Sequence, residues 1–463
     1  MSFTRPRFGT LLAASALGVY VLVVAGATAA VADAVSACST WPTCQGSLAD
    51  PSFLVAVTHR LLAAGVGVLV LLASVSAFRT DVEGRVRAAL AGALALYPVQ
   101  IAIGAFVATT GASGELPVAH FTVGMGIFAA LVAALAWHLE AETGSDDAGP
   151  VLPGDAADAP VEGGEPAPAP ALTRRQRLVE TARAYVRLTK PRLMWLLCLV
   201  AAAAMALAGG PGLSVRTIVL TLGGGVLAIG ASGTFNHVLE RDVDQRMDRT
   251  SDRPVATHQI PVRNALAFGA VLALASVGSF LLVNPLTALL GVVAILFYSV
   301  VYTLVLKPNT VQNTVIGGAA GALPALIGWA AVTGTVGLPG VVLAGVVFLW
   351  TPAHFYNLAL AYKEDYARGG FPMMPVVRGE TQTRKHVLYY LGATLAAAGV
   401  LVALSGLGPL YAATTAGLGG VFLWAVVRLH REQTDRAALR AFHASNAYLG
   451  ALLLVVVIDA LAV

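Results

Sequence analysis

Charge is scarce in this chain. Only 12% of its 463 residues are Asp, Glu, Lys or Arg, while 57% are hydrophobic, a balance far from that of an ordinary soluble domain. The pI near 9.0 would suit a nucleic-acid binder. The basic residues instead lie in short loops between long apolar segments, as in an inner-membrane protein, and no nucleic-acid partner is expected. No cleavable signal peptide is evident. Arg5 and Arg7 precede a first apolar segment too long for an h-region, so it reads as a retained anchor. The loops carry no sign of the inverted repeats of a secondary transporter. Between Ala141 and Thr173 large apolar residues all but vanish in favour of Ala, Pro, Gly, Asp and Glu, the composition of a disordered linker.

What is present is a series of thirteen apolar segments. Four run over Thr10–Val31, Phe53–Phe78, Ala88–Thr109 and Val118–Leu139. Nine follow at Leu193–Ala208, Thr217–Phe235, Ala265–Val283, Leu286–Leu306, Val311–Val332, Val341–Leu360, Val387–Leu404, Pro409–Val427 and His443–Leu461. The expected fold is an all-α polytopic membrane protein of about 13 transmembrane helices: a four-helix bundle at 1–140, a linker at 141–175 and a nine-helix bundle at 176–463. Lys and Arg gather on one side if every segment crosses once, and only Arg60 and Arg216 fall near the other. This bias places the N-terminus and linker in the cytoplasm and the C-terminus outside a prokaryotic cell membrane.

The densest charge is the run from Asn236 to Pro254, NHVLERDVDQRMDRTSDRP. Asn236, Glu240 and Asp244 recur every four residues and would share one helix face. One amide and two carboxylates can ligate a hard cation such as Mg2+ through oxygen, and Mg2+ with few protein ligands commonly serves a phosphate-bearing substrate. The bland alternative is a solvated loop of local ion pairs; the helical period and the adjoining membrane segments weigh against it. Two further stretches reach the same side. Tyr298–Asn313 supplies Lys307, and Trp350–Gly379 supplies His354, Asn357, Lys363, Glu364, Asp365, Arg368 and Arg378, with a Gly369-Gly370 turn that can fold over the mouth. Acids beside bases suggest a diphosphate pocket. Asn236, Glu240, Asp244 and Asp365 are its expected metal ligands and catalytic groups, and Lys307, Lys363, Arg368 and Arg378 would take the diphosphate.

In the first four segments, His59 and His120 lie near the outer ends of the second and fourth. Two imidazoles at matched depth in one bundle can ligate a haem iron from both faces; the alternative is two isolated interfacial histidines. Cys38 and Cys44 stand in the outer loop as CSTWPTC, either a disulfide clip or a redox-active pair, and Cys198 reads as a small core residue.

The stretches CSTWPTCQG, THRLLA around His59 and AHFTVG around His120 resemble one four-helix half of heme A synthase, over about residues 8–140. That resemblance implies haem binding. It also implies a glutamate three residues before the first histidine, tied to haem oxidation; Ala56 stands there, so binding without oxidation is expected. TKPR at Thr189–Arg192, LKPNT, NTVIGGAAGALP and YKEDYARGGFPMMPV resemble the protoheme IX farnesyltransferase (heme O synthase) family of intramembrane aromatic prenyltransferases, over about residues 180–463. The superfamily's first motif is Asn-x-x-x-Asp-x-x-x-Asp, in which Glu240 here replaces the middle aspartate. The second, Asp-x-x-x-Asp, is matched in part by Ala361 and Asp365.

The second resemblance implies transfer of a farnesyl group from farnesyl diphosphate to a vinyl group of haem B, with Mg2+ as cofactor and His354 positioning the haem. Two rival readings remain open: a prenyltransferase with another acceptor, such as a quinone precursor, and a haem-binding membrane protein without catalysis. A heme A synthase or a second copy of the chain are the protein partners the first unit would meet.

Overall fold

The computed structural model describes residues 8–31, 34, 37–38, 40–111, 113–144 and 173–462. Arg5, Arg7 and most of the expected linker lie outside them. Thirteen helices among the described residues are long and apolar enough to cross a membrane, matching the expected number. Lipid offers no hydrogen bonds, so each span must close its own backbone, which a helix does.

The first four are α1 (Phe8–Val31), α2 (Pro51–Arg79), α3 (Gly84–Thr110) and α4 (Glu115–Thr143). A charged, non-spanning helix α5 (Arg174–Leu188) begins at a capping box in which Thr173 and Gln176 bond each other's backbone. Then come α6 (Pro191–Ala208), α7 (Val215–Leu239), α8 (Val262–Leu281), α9 (Pro285–Asn309), α10 (Asn313–Thr333) and α11 (Leu338–Ala361). The last three are α12 (Glu380–Ser405), α13 (Pro409–Glu432) and α14 (Asp435–Ala462). Local chemistry sets several starts. Asp50 caps α2 ahead of Pro51, Ser214 caps α7, and Asn284 caps α9 ahead of Pro285.

The chain divides into two compact units, residues 1–146 with 384–463, and residues 147–383. In the first, α13, α14 and most of α12 group with α1–α4, a division different from the boundaries read from the sequence. A buried polar ladder explains the grouping. The Tyr20 hydroxyl on α1 shares a 2.8 Å hydrogen bond with Thr415 on α13, which shares one of 3.1 Å with Tyr448 on α14. At the other end of α14, Asp459 accepts the N–H groups of Gly408 and Tyr411 at 3.0 and 3.2 Å and so caps α13. Glu140 collects Arg85, at 3.0 Å, and Lys385.

In the second unit α7 packs against α8, α6 and α9, and α10 lies between α6 and α11. Ser276 and Ser279 tie α8 to α7 by donating to the carbonyls of Gly224 and Leu220 at 2.7 and 2.8 Å. Within α9 the stretch Phe297–Leu306 winds as a π-helix, a feature that often marks functional sites.

The two bases that break the charge bias are both engaged by carbonyls. Arg60 donates to Cys38, Thr40, Pro42 and Thr43 in the loop closed by the Cys38–Cys44 disulfide. Arg216 donates to Leu282 at 3.3 Å.

Thr415→Val keeps the shape of the ladder's middle rung but removes the hydroxyl that bonds both buried tyrosines, leaving them only each other. The expected cost is about 1–3 kcal/mol, read as a lower thermal midpoint in detergent. An unchanged midpoint would show that the ladder does not hold this unit together.

Candidate active site

The site forms where α7 ends. Glu240 departs from helical geometry (φ −98°, ψ 2°), and one further turn spans Arg241–Asp244. The three motif residues therefore do not share one unbroken helix, as the spacing had suggested. The four-residue bonding nevertheless continues through the break, from the Glu240 N–H to Asn236 and from the Asp244 N–H to Glu240. All three side chains end up buried: Asn236, Glu240 and Asp244 are 2%, 5% and 2% exposed.

Bases from distant parts of the chain converge on them. Lys307 donates to Glu240 at 2.6 Å, and Arg253 clamps both oxygens of Asp244 at 2.7 and 2.8 Å while lying 3.7 Å from Glu240. Lys190 donates to the Asn236 amide oxygen and, at 3.3 Å, to the Tyr298 hydroxyl. The other side of the Asn236 amide donates to Thr303 on the π-helical stretch at 3.2 Å. Burial opposes ionisation of Glu240, but Lys307, Lys190 and Arg253 outweigh it and hold the carboxyl below its ordinary range. At Asp244 burial wins over Arg253 and raises the carboxyl. Burial, reinforced by Arg253, pushes the Lys190 ammonium down to about 8.

Asp365 sits on a short helix, Lys363–Arg368. Its Oδ1 accepts the Asp248 N–H at 2.7 Å and Arg368 at 2.9 Å, while its Oδ2 is buried with no partner among the described residues. Arg368 also reaches Asp248 at 2.5 Å. Nearby, Arg249 lies over the rings of Tyr362 and Tyr366, 5.3 Å from each centroid, and donates to the Tyr366 hydroxyl at 3.1 Å.

Of the bases expected on the diphosphate, Lys307 and Arg368 pair with the expected acids. Lys363 is engaged instead by Glu380 at 3.3 Å, and Arg378 is exposed. His354 stacks on Trp350 with ring centroids 4.2 Å apart. Lys190 and Arg253 are the bases that sequence reasoning missed. The TKPR motif was a signal for Lys190, whereas nothing in the charge run singles out Arg253 from its neighbours.

Among the described residues, no three Asp, Glu, His or Cys side chains stand together as a ready-made ion site. The donor chemistry still fits Mg2+, which takes oxygen ligands and needs only one or two carboxylates beside substrate phosphates and water. Glu240 and Asp244 supply those carboxylates, Asn236 an amide oxygen, and the free Asp365 Oδ2 is a further hard donor.

Lys190 and Tyr298 belong to a second feature as well, the wall of an apolar cavity. Leu193, Leu197, Ala201, Ala228, Ile295 and Ile327 line it, with Phe280. A charged cluster that adjoins an apolar cavity inside a helical membrane bundle suits a substrate with an anionic head and an apolar tail, as an intramembrane prenyltransferase requires. The model of the UbiA prenyltransferase family matches residues 196–450, and the chain belongs to that family.

The chain is 68% identical over 457 residues to the protoheme IX farnesyltransferase of Haloarcula marismortui, covering 98% of each protein. In solved structures, it is similar to a digeranylgeranylglyceryl phosphate synthase at a TM-score of 0.52, with 16% identity over 61% of this chain and 100% of that one. A UbiA homolog from Archaeoglobus fulgidus bound to GPP and Mg2+ is similar at a TM-score of 0.46, with 18% identity over 59% of this chain and 99% of that one.

Arg253→Met leaves the buried Asp244 carboxylate without the guanidinium nitrogen, Nη1, that bonds both of its oxygens. A loss of about 3–5 kcal/mol is expected, visible as a lower thermal midpoint, and added Mg2+ should recover more of it in the variant than in wild type. Equal midpoints without metal would mean that the clamp carries no weight.

Proposed function

We propose that this protein transfers a farnesyl group from farnesyl diphosphate to a vinyl group of haem B and so forms heme O. The observation that carries this reading is the sharing of Lys190 and Tyr298 between the charged cluster and the apolar cavity, which suits a substrate with a diphosphate head and an apolar tail. The relative from Haloarcula marismortui bears the name of this activity, which favours haem over a quinone precursor or another lipid as the acceptor.

Asn236, Glu240, Asp244 and Asp365 would hold Mg2+, whose charge neutralises the diphosphate as it leaves. Lys190, Lys307, Arg253 and Arg368 turn from the acids to the phosphate oxygens. The carbon–oxygen bond of farnesyl diphosphate breaks and the electron pair leaves with the diphosphate. The vinyl π electrons attack the allylic cation, forming the new carbon–carbon bond and moving the positive charge next to the porphyrin. Water adds there and loses a proton, which gives the hydroxyethylfarnesyl side chain. The cavity keeps water from the allylic cation until it is trapped. Lys363 and Arg378 remain candidates for the arriving diphosphate, and His354 for positioning the haem. The basic loops favour a cytoplasmic face for this site, with the N-terminus inside and the C-terminus outside.

A second reading concerns α1–α4. We infer that His59 and His120 bind a haem in the 1–140 segment, which the linker tethers to the transferase of 176–463. Each ring fills a notch left by a glycine: a Cβ on Gly26 would lie 2.9 Å from His59, and one on Gly104 2.7 Å from His120. The Nδ1 atoms of both are buried and unpartnered among the described residues, while the His120 Nε2 meets Gln100 at 3.2 Å. Ala56 offers no acid for oxidation, and a heme A synthase or a second copy is the partner this segment suits.

The decisive assay is incubation of purified protein with haem B, farnesyl diphosphate and Mg2+, followed by chromatography of the haems. Heme O is the expected product. Asp244→Asn should lower its rate by at least about 100-fold, while Glu240→Asp keeps substantial activity. Full turnover by Asp244→Asn would remove the acids from the mechanism. For the second reading, a low-spin bis-histidine spectrum should disappear in His59→Ala or His120→Ala. Its absence from wild type would return both histidines to a packing role.

A further inference from the structure

A haem acceptor brings anionic groups of its own. Its propionate carboxylates sit on the edge of the macrocycle opposite the vinyls, so they need a polar seat when a vinyl group meets the allylic cation. We propose that Arg249, clamped by Tyr362 and Tyr366, binds a propionate and selects an acceptor that carries a free carboxylate; the proposal rests on haem as the acceptor.

Arg249 stands apart from other bases of the charge run. Arg253 bonds Asp244, and Arg241 lies 3.3 Å from Asp242. No carboxylate pairs with Arg249 among the described residues; two tyrosines hold it instead. Its guanidinium lies 5.3 Å from both ring centroids and donates to the Tyr366 hydroxyl at 3.1 Å. Ring faces attract a cation without using its N–H groups. Those not bonded to Tyr366 remain available in a rigid fork, the geometry that matches a carboxylate. The side chain is exposed, so an arriving ligand can reach it.

The clamp is built into a fixed turn. The short helix Lys363–Arg368 ends in a Schellman motif. The Phe371 N–H donates to the Tyr366 carbonyl at 3.0 Å and the Gly370 N–H to that of Ala367 at 2.9 Å, with Gly370 in the left-handed region at φ 71°. The turn brings Phe371 back against the Tyr366 ring, 6.5 Å between centroids, and Phe355 lies 6.4 Å from the same ring. Tyr366 is buried in this cluster with Met247 and Met373. The backbone beside Arg249 is pinned too, since the Asp248 N–H donates to Asp365 at 2.7 Å.

Placement separates this base from those of the diphosphate. Lys307 lies 4.2 Å from the Phe371 centroid, so contacts run from Lys307 through Phe371 and Tyr366 to Arg249. Lys190, Lys307, Arg253 and Arg368 each bond a group that Mg2+ would take. Arg249 has no such partner to give up among the described residues, and its charge is free for a different anion. His354, the candidate for positioning the haem, lies on α11 about two turns before Tyr362, which closes that helix. A haem seated on α11 would direct its charged edge to the helix end, where Arg249 stands.

The test compares haem B with its dimethyl ester, in which the propionates are capped, as acceptors for the purified full-length protein with farnesyl diphosphate and Mg2+. Wild type is expected to favour haem B by at least about tenfold in kcat/KM. Arg249→Leu removes that preference by raising KM for haem B, while KM for farnesyl diphosphate stays within about twofold. Arg249→Lys keeps the charge without the fork and recovers part of the preference. Tyr366→Phe removes the hydroxyl and keeps the ring face; it lowers the preference by a smaller factor and carries the test even where Arg249→Leu fails to fold.

The proposal is overturned if folded Arg249→Leu discriminates against the ester as wild type does, or if Tyr366→Phe leaves the preference untouched. A rise in KM for farnesyl diphosphate in place of haem B would overturn it as well, by giving the arginine to the diphosphate. Absence of any prenylated haem from wild type would instead overturn haem as the acceptor, and the propionate seat with it.

Discussion

Two carboxylates, Glu240 and Asp244, are held almost out of solvent at the end of a membrane helix. Removing an unpaired carboxylate from water costs several kcal/mol, so the pair persists only because Lys190, Lys307 and Arg253 surround it. Much of the rest of the site follows from that requirement. The bases are drawn from the segment before α6, from the end of α9 and from the loop after α7, and they tie these parts together. The same groups that keep the acids charged are those a diphosphate would bind, and the acids they release are those Mg2+ would bind. One set of ion pairs thus stands in for substrate and metal before either arrives.

The apolar half of the site has a different origin. Helices α6 to α10 enclose a cavity whose wall includes Lys190 and Tyr298 at one level and Phe280 at another. The π-helical stretch in α9 connects the two halves: Tyr298 and Thr303 both lie on it, and Thr303 fixes the Asn236 amide. A substrate with a charged head and an apolar tail is oriented by this layout alone, and its reactive carbon falls at the boundary.

The fold was largely legible in the sequence because apolar length is a one-dimensional property, and the thirteen segments became, among the described residues, thirteen helices long enough to span. The acids were legible for a related reason: four-residue spacing survives the break at Glu240 because the backbone bonds continue across it. The bases were harder. Lys190 is separated from Asn236 by 46 positions, and no periodicity links them; Arg253 lies within a run rich in arginine where spacing cannot choose among equals. Lys363 looked as suitable as Lys307, and only its pairing with Glu380 sets it apart. Phe280 is invisible in sequence, one apolar residue in an apolar helix. The grouping of α13 and α14 with α1 was equally hidden, since it depends on Tyr20, Thr415 and Tyr448 meeting across most of the chain.

If the acids and bases exchange partners when substrate arrives, metal and diphosphate must strengthen each other's binding, because each frees the groups the other needs. The direct measurement is calorimetric titration of farnesyl thiolodiphosphate into the purified protein with and without Mg2+, and the reciprocal titration of Mg2+. The account predicts that each ligand tightens the other by the same factor, at least about tenfold, and that Asp244→Asn loses the coupling. Equal affinity for the analogue with and without Mg2+ would contradict it.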